Sequence, residues 1–156
     1  MTYSRESNII NNITSAFPET ADIETSSAEY ARRFTGQIGE YFLQVQERIT
    51  LDLLKPWPNA TILDVGGGHG QIAIPLVQNG FEVTVLGSDE SCKERLDLFL
   101  EPDSFHFHCC NMLDLPFAPE SFDIVLAFRL LAHVNRWREL LGEMGRVSRD
   151  AVIVDY

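Results

Sequence analysis

The stretch Ile62-Leu63-Asp64-Val65-Gly66-Gly67-Gly68-His69-Gly70 decides the fold. Thr61–Val65 is a short, mainly apolar run of the kind that forms a strand buried on both faces. It runs directly into glycines, and the segment after them, about 70–79, suits a helix. Strand, glycine turn and helix in that order present main-chain N–H groups and the positive end of a helix to whatever sits at the turn. Glycine serves there because a ligand must approach the backbone more closely than a Cβ would allow.

Outward from this block the same alternation repeats. Glu82–Leu86, Ser104–Cys109, Phe122–Phe128 and Ala151–Asp155 read as further strands, mostly buried on both faces, with helical segments at about 90–100 and 135–148 between them. Repeated strand–helix alternation predicts an α/β fold: a Rossmann-like, doubly wound parallel sheet in three α/β/α layers with right-handed crossovers. Upstream, Ser26-Ser27 is a helix cap, Gly36 interrupts the helix, and Ile38, Tyr41, Phe42, Val45, Ile49 and Leu53 fall on one face of an amphipathic helix. Pro56-Trp57-Pro58-Asn59 ends it. Residues 1–26 are polar without a sustained period and are expected to form a mobile arm before a domain at 27–156.

Composition narrows the function. A chain of 156 residues is long enough for one domain with its own core, and 45% hydrophobic residues against 22% charged exclude disorder throughout. The net charge of −11 opposes phosphate backbones and anionic membranes, so neither nucleic acid nor membrane is expected as a partner. Cys92, Cys109 and Cys110 are an odd set that makes no disulfide framework. With no basic, apolar leader and no run of about 20 apolar residues, a soluble cytoplasmic protein is expected.

Spacing separates the possible cofactors. A dinucleotide fingerprint counted from Gly66 and Gly68 would need Gly or Ala at position 71, where Gln71 stands, and a phosphate-binding loop would need Gly-Lys-Ser/Thr after the turn. An acidic residue two before G-x-G-x-G remains: Asp64, Gly66, Gly68 and Gly70. Together with a second block, Asp114-Leu115-Pro116-Phe117 followed by Ser121-Phe122-Asp123-Ile124-Val125, this resembles the class I S-adenosylmethionine-dependent methyltransferases. The similarity is to their small-molecule branch, which includes the ubiquinone and menaquinone C-methyltransferases, and it runs from about Thr61 to Tyr156.

The resemblance implies S-adenosylmethionine as cofactor, a strand order of 3-2-1-4-5 and a set of binding residues. Asp64 with Gly66, Gly67, Gly68 and Gly70 would lie under the methionine moiety. Family members close the second strand with an acid for the ribose hydroxyls. Here Gly87 takes that position, leaving Ser88 or Asp89 as substitutes, with Asp89 equally an N-cap. Asn111 stands where an acid usually holds the adenine amino group, and Met112 would cover the ring. Arg33, beside Tyr30, resembles positions that cover the cofactor. Phe128 would border the transferable methyl group, as would Arg129, either as partner of a substrate carboxylate or as a solvated helix start. Asp123 reads as structural.

Methyl transfer from a sulfonium is an in-line displacement that needs alignment and exclusion of water more than a base. For an acidic acceptor, His133 is the candidate base, with a surface or packing histidine as its other reading. His106, His108 and Cys110 project to one face of a strand with metal-capable side chains, but a fourth ligand is lacking and no metal is expected. Arg136, Arg138, Arg146 and Arg149 form either a partner patch or a solvated helix face. The resemblance also implies further strands after the fifth, so the domain is expected to be truncated there. Its exposed edge is a candidate homodimer contact. Beside transfer to a small-molecule acceptor stands a second reading, a non-catalytic S-adenosylmethionine-binding module or inactive fragment.

Overall fold

Strand β1 (Thr61–Val65) lies at the centre of a five-stranded sheet. It pairs in parallel with β2 (Glu82–Gly87) on one side and β4 (Phe122–Ala127) on the other. The outer strands are β3 (His106–Cys109), parallel to β2, and β5 (Ser148–Val154), parallel to β4. The order is thus β3-β2-β1-β4-β5, as the resemblance implies. The computed structural model describes residues 17–156.

Period-two alternation along the strands splits the core into two layers. Leu63, Val65, Leu86 and Val125 face one side, where helix α6 (Trp137–Val147) buries Leu140, Met144 and Val147 against them. Ile62, Val83, Val85, Ile124 and Leu126 face the other, against α4 (Ala73–Gln78), α5 (Glu94–Phe99) and Leu54 at the end of α3 (Gly36–Leu54). Each fully buried aliphatic side chain adds about 1.5–3 kcal/mol relative to exposure. β1, β2 and β4 are therefore apolar nearly throughout. The outer strands depart from that expectation: β3 exposes His106, His108 and Cys109, and β5 exposes Val152 and Val154. A strand with a neighbour on one side only is covered less completely.

Two expectations upstream need correction. Residues 17–26, read as part of an arm, are packed: α1 (Ala21–Thr25) buries Asp22 and Thr25, and Glu19 and Ser26 are buried beside it. The rest of the arm, 1–16, lies outside the described residues. The apolar stripe of α3 does not make the helix's contact with the core. Ile38, Tyr41, Phe42, Ile49 and Leu53 are exposed, while Thr50 and Leu54 are buried. Between α1 and α3, Ser27 caps α2 (Ala28–Ala31) by accepting from Tyr30 N, and Gly36 takes φ 83° at the break before α3.

Arg146 and Arg149 are structural. Arg146 donates to the carbonyls of Phe117 (2.7 Å) and Leu115 (2.9 Å) and to Glu143, whose Oε2 accepts from Leu115 N at 2.8 Å. This fork clamps the Leu115-Pro116-Phe117 turn to α6. Arg149 pairs with Asp123, which also accepts from Thr61 N (2.8 Å) and Thr61 Oγ1 (3.1 Å), joining the starts of β1, β4 and β5. Those Thr61 bonds first, and Arg149 next, hold the Asp123 carboxyl below the usual range. Arg146→Ala leaves two carbonyls and Glu143 without their donor, and is expected to lower unfolding free energy in urea by about 1–3 kcal/mol. Arg146→Lys should restore only part of it, because an ammonium cannot reproduce the fork.

Candidate functional site

Strand order reverses between β1 and β4, and in open α/β sheets ligands bind outside the carboxyl ends of the strands at such a point. The glycine loop stands there. Gly66 (φ 71°) and Gly70 (φ 77°) are left-handed, which lets the chain leave β1 and close a 3₁₀ turn at Gly67–His69. Gly67 has a different task. A Cβ there would lie 2.1 Å from Asp64 Oδ2, so the loop can close over the Asp64 carboxyl only with glycine at this position.

That carboxyl is wholly buried, and neither oxygen has a hydrogen-bond partner among the described residues. Burial pushes its pKa up to about 8, against the opposing pull of Arg129. The folded chain therefore keeps a proton at Asp64 that the unfolded chain releases near 3.8. This group's contribution to stability is full below pH 3.8 and is lost as pH rises through about 8. His69 is the reverse case: burial first, and Arg129 next, push its pKa down to about 3. Its ring is neutral, and because Nδ1 accepts from Gln71 N (3.1 Å) the proton is assigned to Nε2, which is buried.

The second lip of the site is the end of β2. A side chain at Gly87 would meet Cys92 Cβ at 2.6 Å and Phe107 Cζ at 2.9 Å, so no acid fits there. A carboxylate arrives instead from α1. Asp22 accepts from Ser88 N (2.6 Å), Ser88 Oγ (2.5 Å) and Cys92 Sγ (3.4 Å) and is fully buried. The same helix lies across the glycine loop: a Cβ on Gly66 would meet Leu130 at 2.9 Å and Asp22 at 3.3 Å, and one on Gly68 would meet the Cys92 carbonyl at 2.1 Å and Ser26 Oγ at 2.5 Å. Burial, then the Asp22 charge, pushes the Cys92 thiol up to about 12, so it serves as a donor and not as a thiolate. The sequence reading missed Asp22. The one signal pointing to such a residue was the lack of an acid at Gly87.

Of the residues expected in the site, the fold gathers Asp64, Gly66, Gly67, Gly68, Gly70 and Ser88 at one edge. Cys110 N donates to Gly87 O (3.0 Å), which brings the start of the Asn111-Met112 turn beside them. Asn111 turns its Oδ1 onto Leu113 N (3.0 Å), and Met112 is fully buried in the core. Asp89 is an N-cap, accepting from Ser91 N (2.9 Å) at the surface. Arg33 is exposed, paired with Glu24 (3.2 Å), with its guanidinium 4.8 Å from the Tyr30 ring centre. His133 is exposed on the Leu131–His133 turn. Among the described residues no group of three or more His, Cys, Asp or Glu could hold a metal ion, and His108 packs edge-on against Phe117 instead. No described helix is long and apolar enough to cross a membrane.

At the ends of β4 and β5 opens a cleft of about 590 Å³. Its walls include Tyr30, Phe34, Phe42 and Ile49 from the helical side and Phe128 and Ile153 from the sheet. The exposed stripe of α3 thus lines a cavity.

The family described as Methyltransferase domain matches residues 63–154, more than half of the chain. An O-methyltransferase of Pyrenophora dematioidea is 30% identical over 112 residues, covering 66% of this chain and 42% of the relative. A ubiquinone/menaquinone biosynthesis C-methyltransferase of Cereibacter sphaeroides is 31% identical over 105 residues, covering 64% and 42%. The chain thus spans well under half the length of these relatives. Among solved structures, a sarcosine dimethylglycine methyltransferase from Galdieria sulphuraria superposes with TM-score 0.66 at 20% identity, over 76% of this chain and 48% of that one. The PH0226 protein of Pyrococcus horikoshii superposes with TM-score 0.64 at 21% identity, over 82% and 65%. With its glycine loop, its strand order and this match, the chain belongs to the methyltransferase-domain family.

Proposed function

We propose that this chain binds S-adenosylmethionine along the carboxyl edge of β1, β2 and β3 and directs its methyl group to a small-molecule acceptor in the cleft beside β4. The observation that carries the reading is the Asp64 carboxyl, buried beneath a glycine loop with both oxygens unpartnered. A buried acid without a partner costs free energy unless something fills the vacancy, and an ammonium group close to the main chain suits it. When bound, the cofactor would supply a sulfonium methyl group that a nucleophile takes by in-line displacement.

The chain's own residues then have separate tasks. Asp64 and the Gly66–Gly70 loop hold the amino-acid end. Ser88 and the Asp22 carboxylate face the ribose side, and the Asn111-Met112 turn lies toward the adenine side. Phe128 walls the junction with the acceptor cleft and excludes water. His133 takes no part in this reading, because its exposed turn lies apart from the residues that line the cleft. A small-molecule acceptor rather than a nucleic acid accords with the net charge of −11. A cytoplasmic site, one domain that takes in residues 17–26 together with 27–156, and pairing of two copies through the β5 edge complete the proposal. The second reading, a binding module without turnover, is favoured by the α1 side chains that fill the loop's open side.

Titration calorimetry with S-adenosylmethionine and its demethylated product tests the proposal, and binding of neither would end both readings. Because the free carboxyl is protonated up to about pH 8, binding an ammonium must expel that proton. Affinity is expected to rise with pH from 6 to 8, by up to about tenfold per unit, and then level off. Asp64→Asn should weaken binding and flatten this profile. Methyl transfer to small phenols, amines or carbon acids, followed by mass spectrometry, separates enzyme from module.

A further inference from the structure

Arg129 is a half-buried cation that the cofactor reading leaves without work. It follows β4 by two residues in a left-handed conformation (φ 54°), rare for a side chain of this size. Two contacts hold it there. Its N–H donates to Asp155 Oδ1 at 2.5 Å, while Asp155 Oδ2 accepts from Gln46 Nε2 at 3.0 Å, tying α3 to the ends of β4 and β5. Its guanidinium stacks on Phe34 with 4.7 Å between the charge centre and the ring centre.

Neither contact satisfies the guanidinium's own donors. Nε and Nη2 are both buried without a hydrogen-bond partner among the described residues, although Arg129 lines the 590 Å³ cleft. Those two nitrogens are closed to solvent, but no ion pair among the described residues neutralises the guanidinium, whose planar fork of donors suits the two oxygens of a carboxylate. Asp155, the nearest acid in the cleft, is committed to the Arg129 main chain and to Gln46. Burial lowers the guanidinium's pKa, with Tyr30, Asp155 and Asp64 opposing; an arginine nonetheless stays charged in a protein. Apart from Gln46 and Thr50, the rest of the wall is aromatic or aliphatic, as Phe34, Phe42, Ile49, Phe128 and Ile153 show. A cavity of this volume is of small-ligand size.

We infer that the cleft is a site for a hydrophobic carboxylate, its carboxylate paired with the Arg129 guanidinium and its apolar body along α3 and β5. Calling this ligand the methyl acceptor rests on the transferase reading; the site itself does not. Phe34 stacks on the guanidinium and Asp155 holds its main chain, so the charge stands in place in the free protein, and a neutral analogue of similar shape fits less well.

The test is binding of 2-naphthoate and of its neutral isostere 2-naphthamide to the full chain, by calorimetry, with and without S-adenosylhomocysteine. The acid is expected to bind roughly tenfold or more tighter than the amide, the scale of a charge-assisted pair. Arg129→Gln should bring the acid down to the amide's affinity while leaving the amide's unchanged. The comparison of acid and amide on the unsubstituted chain needs no variant to fold. Equal affinity of the two overturns the inference. So does competition between naphthoate and S-adenosylhomocysteine with loss of both in Arg129→Gln, which would assign the fork to the cofactor's own carboxylate. Selective, Arg129-dependent binding of the acid without any binding of S-adenosylhomocysteine upholds the carboxylate site and sinks the transferase reading instead.

Discussion

The closure of the glycine loop over the Asp64 carboxyl is the constraint on which the rest of the site depends. A protonated acid without partners inside the core is costly, and it is tolerated because Gly67 has no Cβ and the loop can cover it. The covering fixes where β1 ends and where α4 begins, since Gly66 and Gly70 supply the two left-handed turns. It also sets the height at which other elements meet the sheet edge. Asp22, Cys92 and Leu130 all pack against the same five residues.

Around that loop the structure distributes charge in an uncommon way. The second strand ends without an acid because Cys92 and Phe107 fill the space beside Gly87, and the carboxylate comes from a short helix far upstream. At the other side of the edge, Asp155 is spent on positioning and leaves the Arg129 fork unpaired. One buried carboxylate saturated by the protein and one half-buried cation left open make opposite kinds of half-site. The first holds a segment closed over the glycine loop; the second leaves its charge at the wall of a cleft. Fold alone would not distinguish these roles, because function lies in the side chains placed on it.

Much of this was legible in the sequence, and what was legible had local causes. Thr61–Val65 and Phe122–Ala127 read as buried strands because central parallel strands are apolar on both faces. The Asp123 carboxylate read as structural from its place at a strand start, and its bonds to Thr61 agree. The outer strands misled because burial on both faces requires neighbours on both sides, which β3 and β5 lack. The α3 stripe showed the helix period correctly but not its partner: five of those side chains face a cleft or solvent, and the helix is anchored by Leu54.

By itself the sequence determined the alternation of strand and helix, the glycine turn and, through the two motif blocks, the family. These follow from periodicity and from steric demands within a few residues. Only the tertiary structure decided that Asp22 reaches Ser88 across 66 positions, that Asp89 caps a turn, that His133 lies exposed, and that Arg129 lines an apolar cleft without an ion pair among the described residues. Such pairings have no period to announce them. They exist because a parallel sheet gathers the carboxyl ends of all its strands at one edge, where residues distant in the chain must share the same buried space.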